Sequence, residues 1–179
     1  IAVQTVLKTM LERGIVPHFV TALDHAELSA RFYEGLTAAD VEGCTLVVQA
    51  MANPAIFQAF PGEIRCPGDD LSDRTLGDLQ TEPRRASRGQ LRPGATVAHM
   101  AYYLARHLGC DPVILVGQDL GFTDGQYYSA NAAIHRVWSS ELSDFNSIEM
   151  MEWQRIVRSK SMLHRATDVF GRPIFTDEQ

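Results

Sequence analysis

The sequence predicts an α/β fold, a three-layer sandwich with a mostly parallel central sheet. Three observations carry this expectation. Short β-forming runs alternate with helical stretches between Phe19 and Val116. The run Val113-Ile114-Leu115-Val116 is apolar on both faces, as a buried parallel strand requires. Two helical stretches carry apolar stripes at the 3.6-residue period.

The elements follow in order. Val3, Val6, Leu7, Met10 and Leu11 recur on one helical face, so a helix is expected from Val3 to Arg13, closed by Gly14. Pro17 stops it, and Phe19 to Leu23 reads as a strand ending at Asp24. A second helix is expected over Ala26–Glu34, closed by Gly35, and Thr45–Ala50 reads as a buried strand ending near Asn53-Pro54. Ala55–Phe60 is a short helix or turn. From Pro61 to Gly94 there are 12 charged residues in 34, with Pro and Gly scattered among them, which reads as an irregular excursion.

Regularity returns at Thr96–Leu108, where Val97, Met100, Ala101, Leu104, Ala105 and Leu108 form one stripe, with Thr96 as cap and Gly109 at the end. The strand at Val113–Val116 follows. Ser147–Arg158 is a further helix, and Phe170–Phe175 a turn leading into an edge strand.

At 179 residues, 45% hydrophobic and 21% charged, the chain matches one globular α/β domain, or part of one. It opens on Ile1 within an apolar stretch and closes on FTDEQ, which reads as a fragment of something longer. Sixteen Lys and Arg against 22 Asp and Glu leave a net charge of −6. That balance disfavours a general nucleic-acid binder. No apolar run reaches the length of a membrane span, about 18–20 residues. Cys44, Cys66 and Cys110 are odd in number with no CxxC, so a cytoplasmic location without disulfides or structural zinc is expected.

In a Rossmann-like parallel sheet, ligands bind beyond the carboxyl ends of the strands. The start of helix 96–108 and the end of strand 113–116 are therefore expected at one sheet edge. Gly94-Ala95-Thr96 would offer backbone N–H groups and a positive helix end to a phosphate. Gln118 and Asp119 would offer an amide and a carboxylate to a sugar, a base edge or a metal-bound water. Asp24 and Asn53 end the two earlier strands at the same edge. Each could instead be a turn or cap residue, and it is their convergence that favours a site.

Arg84, Arg85, Arg88 and Arg92 precede the turn and could hold a diphosphate or an anionic sugar, or simply form a solvated loop beside five nearby acids. His25, after Asp24, and His135, in the loop beyond Asp119, are candidate catalytic bases, with Asp119 a third catalytic candidate. No metal site is expected, because no histidine pair has HExxH-type spacing. Neither a GxGxxG loop, a P-loop nor a GxSxG elbow is present.

Three stretches carry a resemblance: VQTVLK with GIVPHFVTALD, ATVA with LA and LGC, and PVILVGQDL. Over most of residues 1–125 they resemble the Maf/MptE-like family. It includes motility accessory factors, implicated in glycosylating flagellin with nonulosonic (sialic-like) acids, and archaeal 6-hydroxymethyldihydropterin diphosphokinases. More distantly, the region is similar to bacterial sialyltransferases that use CMP-sialic acid. That likeness implies nucleotide contacts at Gly94, Ala95, Thr96 and Asp119, with Asn53 a further candidate.

Members usually carry a strand and a GxGPSL-like loop that would lie before Ile1, and often a His after the Asp-Leu stretch, where this sequence has Gly125-Gln126-Tyr127-Tyr128-Ser129. Gly171-Arg172-Pro173 looks like the start of a further family segment. The resemblance implies a glycosyltransferase acting on a CMP-sugar, with a nucleotide or nucleotide-sugar as partner and flagellin or another protein as acceptor; neither nucleic acid nor membrane is expected as a partner. The alternatives are ATP- and Mg²⁺-dependent diphosphokinase chemistry, which Asp119, Asp124, Phe122 and Tyr128 could serve, or a non-catalytic interaction domain on the same fold.

Overall fold

The structure is a computed structural model that describes residues 1–68, 91, 94, 96–118, 121–122, 135, 138–139, 142–158 and 163–176. The chain divides into two compact units, Ile1–Val113 and Ile114–Gln179. The sequence reading drew no boundary there.

The first unit is built on a four-stranded, all-parallel sheet in the order β1 (Ala2–Val3), β2 (Phe19–Ala22), β3 (Thr45–Val48), β4 (Glu63–Arg65). Parallel neighbours need crossovers, and each is a helical segment. A 3-10 turn (Gln4–Val6) and α1 (Leu7–Leu11) link β1 to β2, a 3-10 segment (Glu27–Tyr33) links β2 to β3, and α2 (Pro54–Ala59) links β3 to β4. This is the expected α/β, Rossmann-like architecture.

Side chains alternate across the strands and so serve two layers. Val20, Ala22, Leu46 and Val48 are wholly buried on one face. On the other face Val47 packs with Met100 and Leu104 of α3 (Val97–His107), with Phe19, Leu23 and Leu91 around them. Thr21 lies on that face too, and its hydroxyl is within hydrogen-bonding reach of the Ala2 and Val97 carbonyls, 3.3 and 3.4 Å away. The start of α3 is thereby tied to the upper half of β2.

Three expectations are corrected here. The first helix does not begin at Val3. Ala2 and Val3 pair with Val20 and Thr21, so the sheet takes these two residues and the α-helical turn starts only at Leu7. The irregular excursion contains β4, whose Glu63 and Arg65 are exposed while Ile64 pairs with Leu46; an edge strand can carry such charges. Third, Val113–Val116 forms no strand among the described residues, and Ile114, Leu115 and Val116 are 80, 63 and 87% exposed. β-propensity yields a strand only where a neighbour completes the ladder, and no described strand pairs with this run.

The second unit holds α4 (Ile148–Arg158), whose start is capped by the Ser147 hydroxyl accepting from the Met150 N–H at 3.3 Å. An antiparallel hairpin of β5 (His164–Thr167) and β6 (Pro173–Thr176) follows. Phe122 adds backbone bonds to Phe175. Trp138, Met151 and Ile156 are buried in this unit. Among the described residues no helix is long and apolar enough to cross a membrane.

Candidate functional site

The carboxyl ends of β1, β2 and β3 deliver Gln4, then Asp24 and His25, then Asn53 to one edge of the sheet. Their loops are joined by a specific set of bonds. The Asn53 N–H donates to the Asp24 carbonyl at 2.9 Å, and the Asn53 amide Nδ2 donates to the His25 carbonyl at 3.0 Å. The same side chain accepts from the Ala55 N–H at 3.0 Å, capping α2 ahead of Pro54 at its first turn. One asparagine therefore fixes both the helix start and the neighbouring loop.

His25 is exposed, and its Nδ1 lies 2.9 Å from the Met51 carbonyl. A carbonyl oxygen only accepts, so Nδ1 carries the proton. In the neutral ring Nε2 then presents a lone pair. That is the tautomer a base needs.

Asp24 is half-buried and its Oδ2 accepts from two side chains, the Gln4 amide Nε2 and the Ser29 hydroxyl, the latter at 2.9 Å. Gln4 is only 1% exposed, and its other amide atom, Oε1, accepts from the Tyr33 hydroxyl at 3.1 Å. Burial, helped by the nearby Asp24 carboxylate and the Cys44 thiol, pushes the Tyr33 hydroxyl well above the usual phenol range. Tyr33 therefore keeps its proton. The Asp24 carboxylate only accepts, so the Gln4 nitrogen faces it, and Tyr33 donates to the oxygen left on the other side.

Thr96 caps α3, accepting from the His99 N–H at 3.4 Å, and its hydroxyl stands 2.9 Å from His99 Nδ1. A Cβ on Gly94 would come within 2.3 Å of the His99 Cβ, so this turn needs glycine there. Gly94 and Thr96 thus belong to the first unit, with Asp24, His25 and Asn53. Gln118 is exposed and belongs to the second unit. Asp119, Ala95, Arg85, Arg88 and Arg92 lie outside the described residues.

His135 sits in the second unit, not in an open loop: it is 9% exposed, has helical backbone, and its Nε2 donates to Glu152 Oε1 at 2.6 Å, with Trp138 alongside. Among the described residues no three His, Cys, Asp or Glu stand together as metal ligands.

Sequence reasoning missed Gln4, Ser29 and Tyr33. The missed strand β1 is the reason for Gln4. Once Ala2-Val3 is known as a strand, Gln4 becomes a post-strand polar residue like Asp24 and Asn53.

No curated protein matches the chain. Among solved structures, the chain is similar to that of a Maf glycosyltransferase from Magnetospirillum magneticum AMB-1, with a TM-score of 0.53 and 20% identity. That likeness, which concerns the fold, covers 95% of this chain and 22% of the other, so the chain spans less than a quarter of its neighbour's length. The family described as 6-hydroxymethylpterin diphosphokinase MptE-like matches residues 1–125. With the match covering well over half its length, the chain belongs to the MptE-like family.

Proposed function

We propose that the chain forms the nucleotide-binding part of a cytoplasmic glycosyltransferase. It moves a nonulosonic acid from a CMP donor to a hydroxyl of a protein acceptor such as flagellin. The observation that carries this reading is the stitched carboxyl edge of the parallel sheet. There an exposed His25, with Nε2 free to accept, stands beside the carboxylate of Asp24 and the amide of Asn53. Family membership and the fold likeness to a Maf glycosyltransferase support it.

In this reading His25 Nε2 takes the proton of the acceptor hydroxyl. The freed oxygen bonds to the anomeric carbon, and the carbon–oxygen bond to the phosphate breaks. CMP leaves with the bonding electrons. Gly94, Ala95 and Thr96 receive the phosphate, and Arg85, Arg88 and Arg92 offset charge on it and on the sugar carboxylate. His135, enclosed with Glu152, supports its own unit, which leaves the base role to His25.

A thermal-shift comparison of CMP, CDP and ATP with the full-length protein tests the reading. Stabilisation by cytidine nucleotides is expected. A response to ATP alone overturns it and favours the second reading, diphosphokinase chemistry, which the family's own description supports. That second reading falls if hydroxymethyldihydropterin, ATP and Mg²⁺ yield no AMP.

A further inference from the structure

We infer that Asp24, held by Gln4, Ser29 and Tyr33, is the receptor for a ribose hydroxyl of the bound nucleotide. This rests on the nucleotide-binding reading above and goes further by naming the part of the ligand and the residues that select it.

The argument starts from the two carboxylate oxygens. Oδ2 already accepts from Gln4 and Ser29. Among the described residues nothing occupies Oδ1, and no cation pairs with Asp24. The donors that hold Asp24 Oδ2 are neutral, so neither offsets the carboxylate's charge. Its free oxygen calls for a further donor.

That charge repels the phosphate and the sugar acid's own carboxylate, so those groups must lie elsewhere at the site. Two neutral donors remain on a nucleotide: the base amino group and the ribose hydroxyls. In cytosine and in adenine the amino group stands beside a ring nitrogen that only accepts, so a carboxylate can meet one N–H there but not a second donor. A ribose hydroxyl presents its proton without such a neighbour.

The supporting chain is built for this. A carboxylate only accepts, so Gln4 turns Nε2 towards Asp24, and the Tyr33 hydroxyl, donating to Gln4 Oε1 at 3.1 Å, holds the other end of the amide. Gln4 and Tyr33 are 1% exposed each, so no solvent competes for these bonds. Gln4, Ser29 and Tyr33 are positioning residues, acting on the ligand only through Asp24.

The test compares CMP with 2′-deoxy-CMP and 3′-deoxy-CMP in binding to the full-length protein by calorimetry, with and without Mg²⁺. Loss of the hydroxyl that meets a charged acceptor is expected to weaken binding about tenfold or more. Asp24→Asn keeps an oxygen for Gln4 and Ser29 and turns an NH₂ group towards the ligand, so the ribo/deoxy ratio should fall towards about one. Tyr33→Phe should reduce the same ratio, which a purely structural role would leave alone.

Equal binding of CMP and both deoxy analogues by the wild type overturns the inference while the nucleotide reading stands. This arm needs no variant to fold. Binding of no cytidine nucleotide removes the reading and the inference together. If UMP loses affinity while the deoxy analogues keep it, the base amino group is the partner and the inference fails. It fails equally if Asp24→Asn abolishes a requirement for Mg²⁺, because the carboxylate would then serve a cation.

Discussion

The two units bury polar groups in opposite ways. In the first, Tyr33, Gln4 and Ser29 feed hydrogen bonds towards Asp24, and the chain of bonds ends on a half-exposed carboxylate at the sheet edge. In the second, His135 and Glu152 meet at 2.6 Å with side chains 9 and 3% exposed. The first arrangement is open at one end and the second is enclosed at both. A network that stops at an uncommitted acceptor is poised for a ligand. One that joins two buried side chains spends that bond on holding the fold.

The contrast predicts unequal costs. Glu152→Ala should destabilise most, by about 2–4 kcal/mol, because it leaves a buried histidine without its carboxylate and opens a cavity beside it. Chemical denaturation followed by Trp fluorescence reads this directly, since the Trp138 ring lies 5.6 Å from that of His135. Tyr33→Phe removes one donor but leaves the ring packed edge-on against Phe60 at 5.5 Å, so about 1–2 kcal/mol is expected. Equal losses in the two variants would break the comparison, because the open network would then be as structural as the closed one.

The smallest effect is local and depends on pH. In the β5–β6 turn the Asp168 carboxylate accepts from the Arg172 N–H at 2.8 Å, from its guanidinium at 2.7 Å and from the Phe170 N–H at 2.9 Å. These bonds, the Arg172 N–H foremost, hold its pKa below the ordinary carboxylate value. The turn's extra stability is therefore complete above about pH 4 and is lost as pH falls through the lowered value. Protection of the His164–Thr176 amides, taken relative to their intrinsic exchange at each pH, should fall over that acidic range in the wild type. In Asp168→Asn, protection should be lower already at neutral pH and should change little on acidification. An unchanged wild-type profile would show that the turn holds without the carboxylate.

Much of the first unit was legible from the chain. β2 and β3 sit where apolar runs placed them, because each found a parallel neighbour, and the Thr96 cap sits where a local capping pattern placed it; Asn53-Pro54, read as the end of a strand, also starts α2. β1 was hidden by its length. Two residues show no period, and Val3 fits a helical stripe as well as a strand. Val113–Val116 failed for the converse reason: its composition is that of a strand, but a strand is a relation between segments. The enclosure of His135 was equally unreadable, since its partner Glu152 lies 17 residues away and on another element.

Asn53 uses both ends of its amide at once, the oxygen for the first turn of α2 and the nitrogen for the His25 carbonyl. Asp, Ser and Thr cap helices too, but a carboxylate has no proton to give and a hydroxyl cannot span both partners in this way. A designer who swaps in any of them keeps the helix and loosens the loop that carries the histidine. Helix stability and the placement of the His25 loop are thereby wired to one position, and neither can be retuned there without disturbing the other.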